Sequence, residues 1–346
     1  MTRVFFTGLE AGSLDIFDRV SVLSVPTISA VQARTGVYSM YCFTGEFAES
    51  VLGSGAASEL FLRIGLYYTG GWGVVDDRTF CTLYSASVPL LSFQIRQADN
   101  VILVRLGDYN GALLASGGIV PLNSWSCIEL RVLIADVGGI VQVRVDGVQV
   151  IDFTGDTEVG IETIIYKIHW AAPGDAGIPA LHSCHGYYDD LAVNNPYGIR
   201  NNSWLGLGGI VGLLPDGAGN YTQLTPSAGA NWQCVDEVPP DDDASYVENA
   251  IINQRDTYRM EDLTITPGKV ADIAAVQWLC RAYNTETQGG NFARLIRLGG
   301  VNYQGDDIGY DKSYDYHPEI IEVSPATMQN WTGDEVNALE AGVVVR

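Results

Sequence analysis

The residues able to do chemistry in this chain are few and scattered. Its four histidines stand at 169, 182, 185 and 317. None accompanies a Gly-x-Ser-x-Gly elbow or a Cys-Gly-Ser-Cys passage, so no motif assembles the nucleophile, base and orienting group of an acyl-transfer site. No glycine-rich phosphate loop occurs either. His182, Cys184 and His185 form the one close His/Cys group. Ligands this close in sequence would strain a tetrahedral site that lacks a distant fourth, and no metal is expected there. Six cysteines, at 42, 81, 127, 184, 234 and 280, show no CxxC pair. Several lie in apolar runs, where a free buried thiol is the expected state. Glu129 and Glu162 are lone carboxylates and read as solvent-facing positions of half-buried strands. The expectation is a protein without catalytic residues and without a required cofactor.

The elements that carry these residues read as strands. In ELFLRIGLYY, residues 59–68, Leu60, Leu62, Ile64 and Leu66 share one face, which is period two. Residues 3–8, 36–43, 79–85, 90–97 and 101–106 read the same way, while 14–23 is loop or edge strand. Asn110-Gly111 is a hairpin signal, because type I′ turns need positive φ at both central residues. Gly117-Gly118 is expected to end the segment that follows. Residues 123–153 alternate most cleanly: Ile128, Leu130 and Val132, then Val141, Val143 and Val145, with turns at Gly138-Gly139 and Asp146-Gly147. That is a three-stranded meander with one buried face.

A chain of 346 residues suggests two domains. The run His185 to Val193 reads as a strand that gives way to Asn194, Asn195, Pro196 and Gly198, which places the boundary near residue 198. Beyond it, 208–214 looks strand-like and Pro215-Asp216-Gly217 looks like a turn. Residues 237–245 read as loop, and 255–263, 270–283, 292–303 and 319–323 as further strands. Residues 334–342 have the spacing of a short helix. The 41 acidic residues against 19 basic ones give a formal net charge of -22, which argues against nucleic acid as a partner. No apolar run reaches the roughly 20 residues of a membrane span, and no secretory signal opens the sequence, so synthesis in the cytoplasm is expected.

Trp125, Glu129, Gly139, Val141, Val143, Asp146 and Gly147, with FFTGLEAGSLDIF at the start and YYDDLAV at 187–193, resemble the concanavalin A-like, laminin-G-like jelly-roll family over roughly residues 1–196. The fold expected is all-β, with two antiparallel β-sandwich domains, 1–198 and 199–346, the first concanavalin A-like and the second an assembly domain. Some jelly-roll relatives hydrolyse β-glucans with Glu-x-Asp-x-x-Glu on one strand, and no such strand occurs here. Over nearly its full length, through NNSWLG, LLPDGAGNYTQLTPSAGANW, VDEVPPDDDASYV and WTGDEVNALEAGV, the sequence resembles virion structural proteins of tailed bacteriophages.

The phage resemblance implies a structural subunit on the outer surface of the particle, in capsid decoration, tail or fibre, with other virion proteins and further copies of itself as partners. A surface facing packaged DNA would add repulsion at this net charge. The alternative is a lectin-like module that attaches to host surface glycans. Trp72, in TGGWGVVDD, is the candidate ring for stacking on a sugar face, or else it caps a core. First and last strands of jelly rolls lie close together, so Glu10, Asp189 and Asp190 either share a calcium ion or form a hydrogen-bonded acidic edge, the simpler reading.

Overall fold

Period-two alternation decides the architecture. In the computed structural model, which describes residues 2–22, 24–70, 77–171, 182–264, 272–285, 290–310 and 312–346, the chain is 51% strand and 4% helix. It divides into two units, one ending at Val211 and one beginning at Gly212.

The first unit contains β1 (Arg3–Thr7), β2 (Arg19–Val20), β3 (Thr27–Ser29), β4 (Ser39–Cys42), β5 (Phe47–Val51), β6 (Glu59–Gly70), β7 (Asp77–Ser85), β8 (Val88–Arg96), β9 (Val101–Leu106), β10 (Leu113–Ile119), β11 (Trp125–Leu133), β12 (Gly139–Val145), β13 (Val148–Gly155), β14 (Lys167–Ala171) and β15 (His185–Asn194). One sheet has the order β13-β12-β11-β6-β15-β4-β3, with β1 also paired to β15; the other runs β10-β9-β8-β7-β14-β5-β2. The pairings between these strands are antiparallel, with one isolated parallel bridge from Thr79 to Ser183, and the opening and closing strands are neighbours, as the jelly-roll reading expects. The core lies between the sheets: Leu60, Leu62, Ile64, Leu66 and Tyr68 of β6 are fully buried, as are Phe80, Leu83, Leu91 and Phe93 opposite. At about 25 cal/mol per Å² of apolar surface removed from water, this contiguous layer is the main stabilising term of the unit.

The expected meander is present in register, Leu130 opposite Val143 and Val143 opposite Ile151. Two details differ nearby. Gly117-Gly118 lies inside the end of β10, which stops one residue later at Ile119 after a register shift. Glycine is required because β13 crosses so close that a Cβ at Gly117 would sit 2.4 Å from the Val150 carbonyl oxygen. Strands β5 and β14, short and mixed in sequence, are central members of the second sheet, held by backbone pairing between Phe47–Val51 and Lys167–Ala171.

The boundary also differs. Residues 199–211 belong to the first unit, because segment 203–210 lies as a strap across the outer face of the β6-containing sheet. Trp204 packs edge-on to Phe61 at 5.9 Å and stacks under the Arg144 guanidinium at 3.8 Å. The strap takes up residues 208–210 of the stretch expected to be a strand, and 211–214 form no strand either.

The second unit contains β16 (Pro215–Thr222), β17 (Thr225–Pro226), β18 (Val247–Glu248), β19 (Arg255–Met260), β20 (Val276–Ala282), β21 (Gly290–Leu298), β22 (Val301–Gln304), β23 (Ile308–Tyr310), β24 (Asp315–Ile321), the helix α1 (Gly333–Ala338) and β25 (Glu340–Val345). Its main sheet is β16-β19-β25-β21-β22, with β23 beside β21. Pro215-Asp216-Gly217, expected to be a turn, instead opens strand β16, paired with β19. The ribbon β20-β24 packs on the main sheet through Trp278, whose ring lies 6.2 Å from Phe292 and whose Nε1 donates to the Gly342 carbonyl. Buried Asp256 ties the loop at 223–231 to β19, accepting from Gln223 N, Leu224 N, Asn231 Nδ2 and Tyr258 OH. The short helix is real and begins with a capping box, Thr332 Oγ1 accepting from Glu335 N while Glu335 Oε2 accepts from Thr332 N. Among the described residues no helix is long and apolar enough to cross a membrane.

If the strap is part of the first unit, a fragment ending at residue 198 should melt several degrees below one ending at residue 211, because truncation uncovers buried charge and Phe61. Equal melting temperatures by calorimetry would show that the strap contributes nothing to the unit.

Candidate functional site

Strand alternation leaves the outer face of the β6-containing sheet free for polar and aromatic residues, and the sequence fills its two halves differently. One half is charged and covered. Arg63 and Glu129 face each other across β6 and β11, only 3% and 1% exposed, with Cys127 beside them on β11. The strap closes over them: Gly206 N donates to Glu129 Oε1 at 2.7 Å, and Arg34 donates to the Leu207 and Gly208 carbonyls. Glu129 is therefore a strap anchor and not a solvent-facing position. Glu162, the other lone carboxylate, accepts from the Ser85 hydroxyl.

Glu10, Asp189 and Asp190 do come together at this edge, around protein donors. Asp189 accepts from Arg34 N (2.7 Å), Thr35 N (3.2 Å) and Asp190 N (2.6 Å). Asp190 accepts from Arg34 Nη1 (2.5 Å), Thr35 Oγ1 (2.6 Å) and Ile210 N (2.5 Å), and its carbonyl takes Arg63 Nε. Glu10 accepts from Val37 N and Tyr38 N. Gly36, at φ +62°, makes room for it, since a Cβ there would lie 2.2 Å from Glu10 Oε1. Burial holds the Glu10 carboxyl above its ordinary value against those two N–H donors. Burial and the Asp190 charge likewise raise that of Asp189. This is the hydrogen-bonded acidic edge; a shared calcium ion would have to displace these donors. Among the described residues no group of three or more His, Cys, Asp and Glu is arranged to hold a metal ion.

The other half is aromatic and open. Trp125 of β11 pairs directly with Tyr67 of β6, Tyr67 with Tyr187 of β15, and Tyr187 with Tyr41 of β4. Their strand neighbours Ser126, Tyr68, Tyr188 and Met40 are fully buried, so the four rings share the outer face, each half-buried. Successive ring centroids are 5.6, 5.8 and 4.8 Å apart. Phe43 extends the patch, 6.5 Å from Tyr41 and 4.4 Å from the His185 ring. At the usual strand spacing the row from Trp125 to Tyr41 is roughly 14 Å long.

His185 borders this row as a neutral group: burial, with the nearby Arg78 charge, pulls its pKa down to about 4. Its Nε2 lies 2.9 Å from Thr44 Oγ1. Cys184, next to it, is fully buried and its thiol is pushed up to about 12 by burial, while the His182 ring packs on Tyr109. The group at 182–185 is thus structural packing. All six cysteines are free, five of them buried. The Trp72 stacking reading lies outside the described residues.

No single motif announces the aromatic row. Its members lie far apart in sequence, and the available signal was the pair of doublets Tyr67-Tyr68 and Tyr187-Tyr188, in which one ring must face outward whichever face is core.

No family model matches the sequence, and no curated protein matches it. The chain is similar to a mutant sialidase from Trypanosoma rangeli displaying trans-sialidase activity, at 13% identity and TM-score 0.35, covering 49% of this chain and 27% of that one. It is similar to domain 4 of an extracellular arabinanase from Geobacillus stearothermophilus, solved with arabinotriose, at 12% identity and TM-score 0.40, covering 56% and 92%. An alginate lyase is similar at 12% identity and TM-score 0.36, covering 56% and 93%. The expectation of a protein without enzymatic activity is corrected to this extent: a sialidase, an arabinanase domain and an alginate lyase are among the solved structures similar to the chain. At this identity and coverage they assign no activity to this chain.

The ion pair at the acidic edge gives a direct expectation. Replacing Asp190 with Ala leaves Arg34 without its carboxylate and Ile210 N with only the longer bond to Thr35 Oγ1, and should cost about 3 kcal/mol or more in urea unfolding. A loss below about 1 kcal/mol would mean that the strap and loop hold without the pair.

Proposed function

We propose that the first unit is a carbohydrate-binding module whose contact surface is the aromatic row. The observation that carries this reading is the register: four rings from four adjacent strands aligned side by side on a face that the core does not use. Half-exposed Tyr and Trp combine a large apolar body with a polar tip, which suits the apolar face and hydroxyl rim of a sugar ring. Contiguous apolar surface of this kind is unfavourable in water and marks a contact site. A rigid sheet supplies the alignment, so little ordering free energy is lost on binding.

The resemblance of the sequence to virion structural proteins of tailed bacteriophages supports a setting for this module on the outer surface of such a particle, next to other virion proteins and further copies of the chain. There it would meet host surface glycans. The net charge of -22 favours an exterior position over one facing packaged DNA. Antibody labelling of intact particles tests the setting: label that binds only after particles are opened would contradict it.

The binding role has its own test. On a glycan array the full chain should give defined hits, and Tyr187→Ala, removing a central ring, should weaken them by about tenfold, equivalent to about 1.4 kcal/mol, with the circular dichroism spectrum unchanged. Hits that survive this substitution at full strength would place binding elsewhere.

A further inference from the structure

We propose that the ligand of this face is an uncharged glycan chain that lies across the strands, from Trp125 on β11 to Tyr41 on β4, an inference that rests on the binding role assigned above. Direction follows from what closes the face along the strands. One step inward from the row, Cys127 Sγ lies 3.9 Å from the Gly206 carbonyl of the strap. On β6 the next outward position is Gly65, where the Arg34 side chain passes so close that a Cβ would lie 2.9 Å from its Cδ. Asp189 fills the equivalent place on β15 with its bonds to Arg34 N and Thr35 N. A chain running along the strands toward the strap would meet this wall within a single strand step, whereas the row itself is continuous over four strands.

Charge class follows from the groups around the rings. An anionic glycan needs a cation to offset the desolvation of its carboxylates. The arginines nearest the row are withdrawn from solvent or already paired: Arg78 is 0% exposed, Arg63 3% exposed, and Arg34 is bound by Asp190. His185 stays neutral near pH 7. At the far end stands a carboxylate: Glu46, 7% exposed, accepts from Phe43 N and from Ser24 Oγ, and its charge acts on the Tyr41 hydroxyl. Because it is buried, salt screens it little. Sugar hydroxyls tolerate these surroundings, and carboxylated or sulfated sugars do not.

The experiment is calorimetric titration of the full chain, near neutral pH and physiological salt, with cellohexaose, xylohexaose and mannohexaose, their disaccharides, and hexasaccharides of alginate and hyaluronan. The inference expects at least one neutral hexasaccharide to bind about tenfold or more tighter than its disaccharide and than either anionic hexasaccharide. Trp125→Ala and Tyr41→Ala, at opposite ends of the row, should each weaken the hexasaccharide by about tenfold and the disaccharide by much less. Anionic hexasaccharides binding as tightly as neutral ones, in a manner lost in Tyr187→Ala, would overturn the charge class and leave the binding role standing. Equal affinity for hexasaccharide and disaccharide would overturn the orientation across the strands. No binding by any of these sugars, neutral or anionic, would overturn the binding role and this inference with it.

Discussion

The Arg34–Asp190 ion pair is the contact on which the outer face of the first unit depends. It requires a backbone irregularity. Tyr188 and Leu191 both face the core although they stand three positions apart, which strict alternation forbids. The chain resolves this with a bulge between Asp189 and Ala192, Asp190 adopting φ +53°. The bulge brings both carboxylates to the outer side, where Asp189 fixes the backbone of the loop at 34–35 and Asp190 fixes Arg34 and the strap. Without it, Leu191 and Val193 would turn toward solvent, or Tyr187 would leave the aromatic row.

That single device gives the face its two halves. Under the strap, charged side chains are buried and engaged both by backbone groups and by one another, a state that is stable only when each partner is present. Beyond the strap the face carries rings, and alignment of those rings depends on the register of β15 between β6 and β4. The acidic edge and the aromatic row are therefore linked through one strand: carboxylates set its position, and Tyr187 uses that position. Within the second unit, buried Asp256 and the capped helix serve local packing.

Much of the fold was legible because alternation is local. The strands around 59–68 and 123–153 announce themselves by leucines and valines at every second place, and Asp146-Gly147 by its turn chemistry. Elements held by backbone pairing were not legible: β16, with the sequence PDGAGNYT, looks like a turn until β19 is found beside it, and β5 and β14 are short strands whose outward residues, Glu49 and His169, are buried against each other at 2.5 Å. Residues 208–214 read as a strand because Ile210, Val211, Leu213 and Leu214 are apolar, yet they pair with no sheet. As for the site, Glu10, Asp189 and Asp190 were legible as a cluster, since opening and closing strands of a jelly roll are neighbours. Their partners were not, because most of the donors are backbone N–H groups, which every residue but proline carries, and the two side-chain donors, on Arg34 and Thr35, lie more than 150 positions away in sequence. The aromatic row depends on register across four strands, and register is a long-range property that no short window contains.

The most direct measurement is a carbon-edited nuclear magnetic resonance titration of the aromatic ring signals with the neutral hexasaccharide that binds best. The account predicts that Trp125, Tyr67, Tyr187 and Tyr41 shift together along one binding curve, while the core rings Trp170, Tyr68 and Tyr188 and the strap ring Trp204 stay in place. Saturable shifts confined to Trp204 or to rings of the second unit, with the row unmoved, would contradict it.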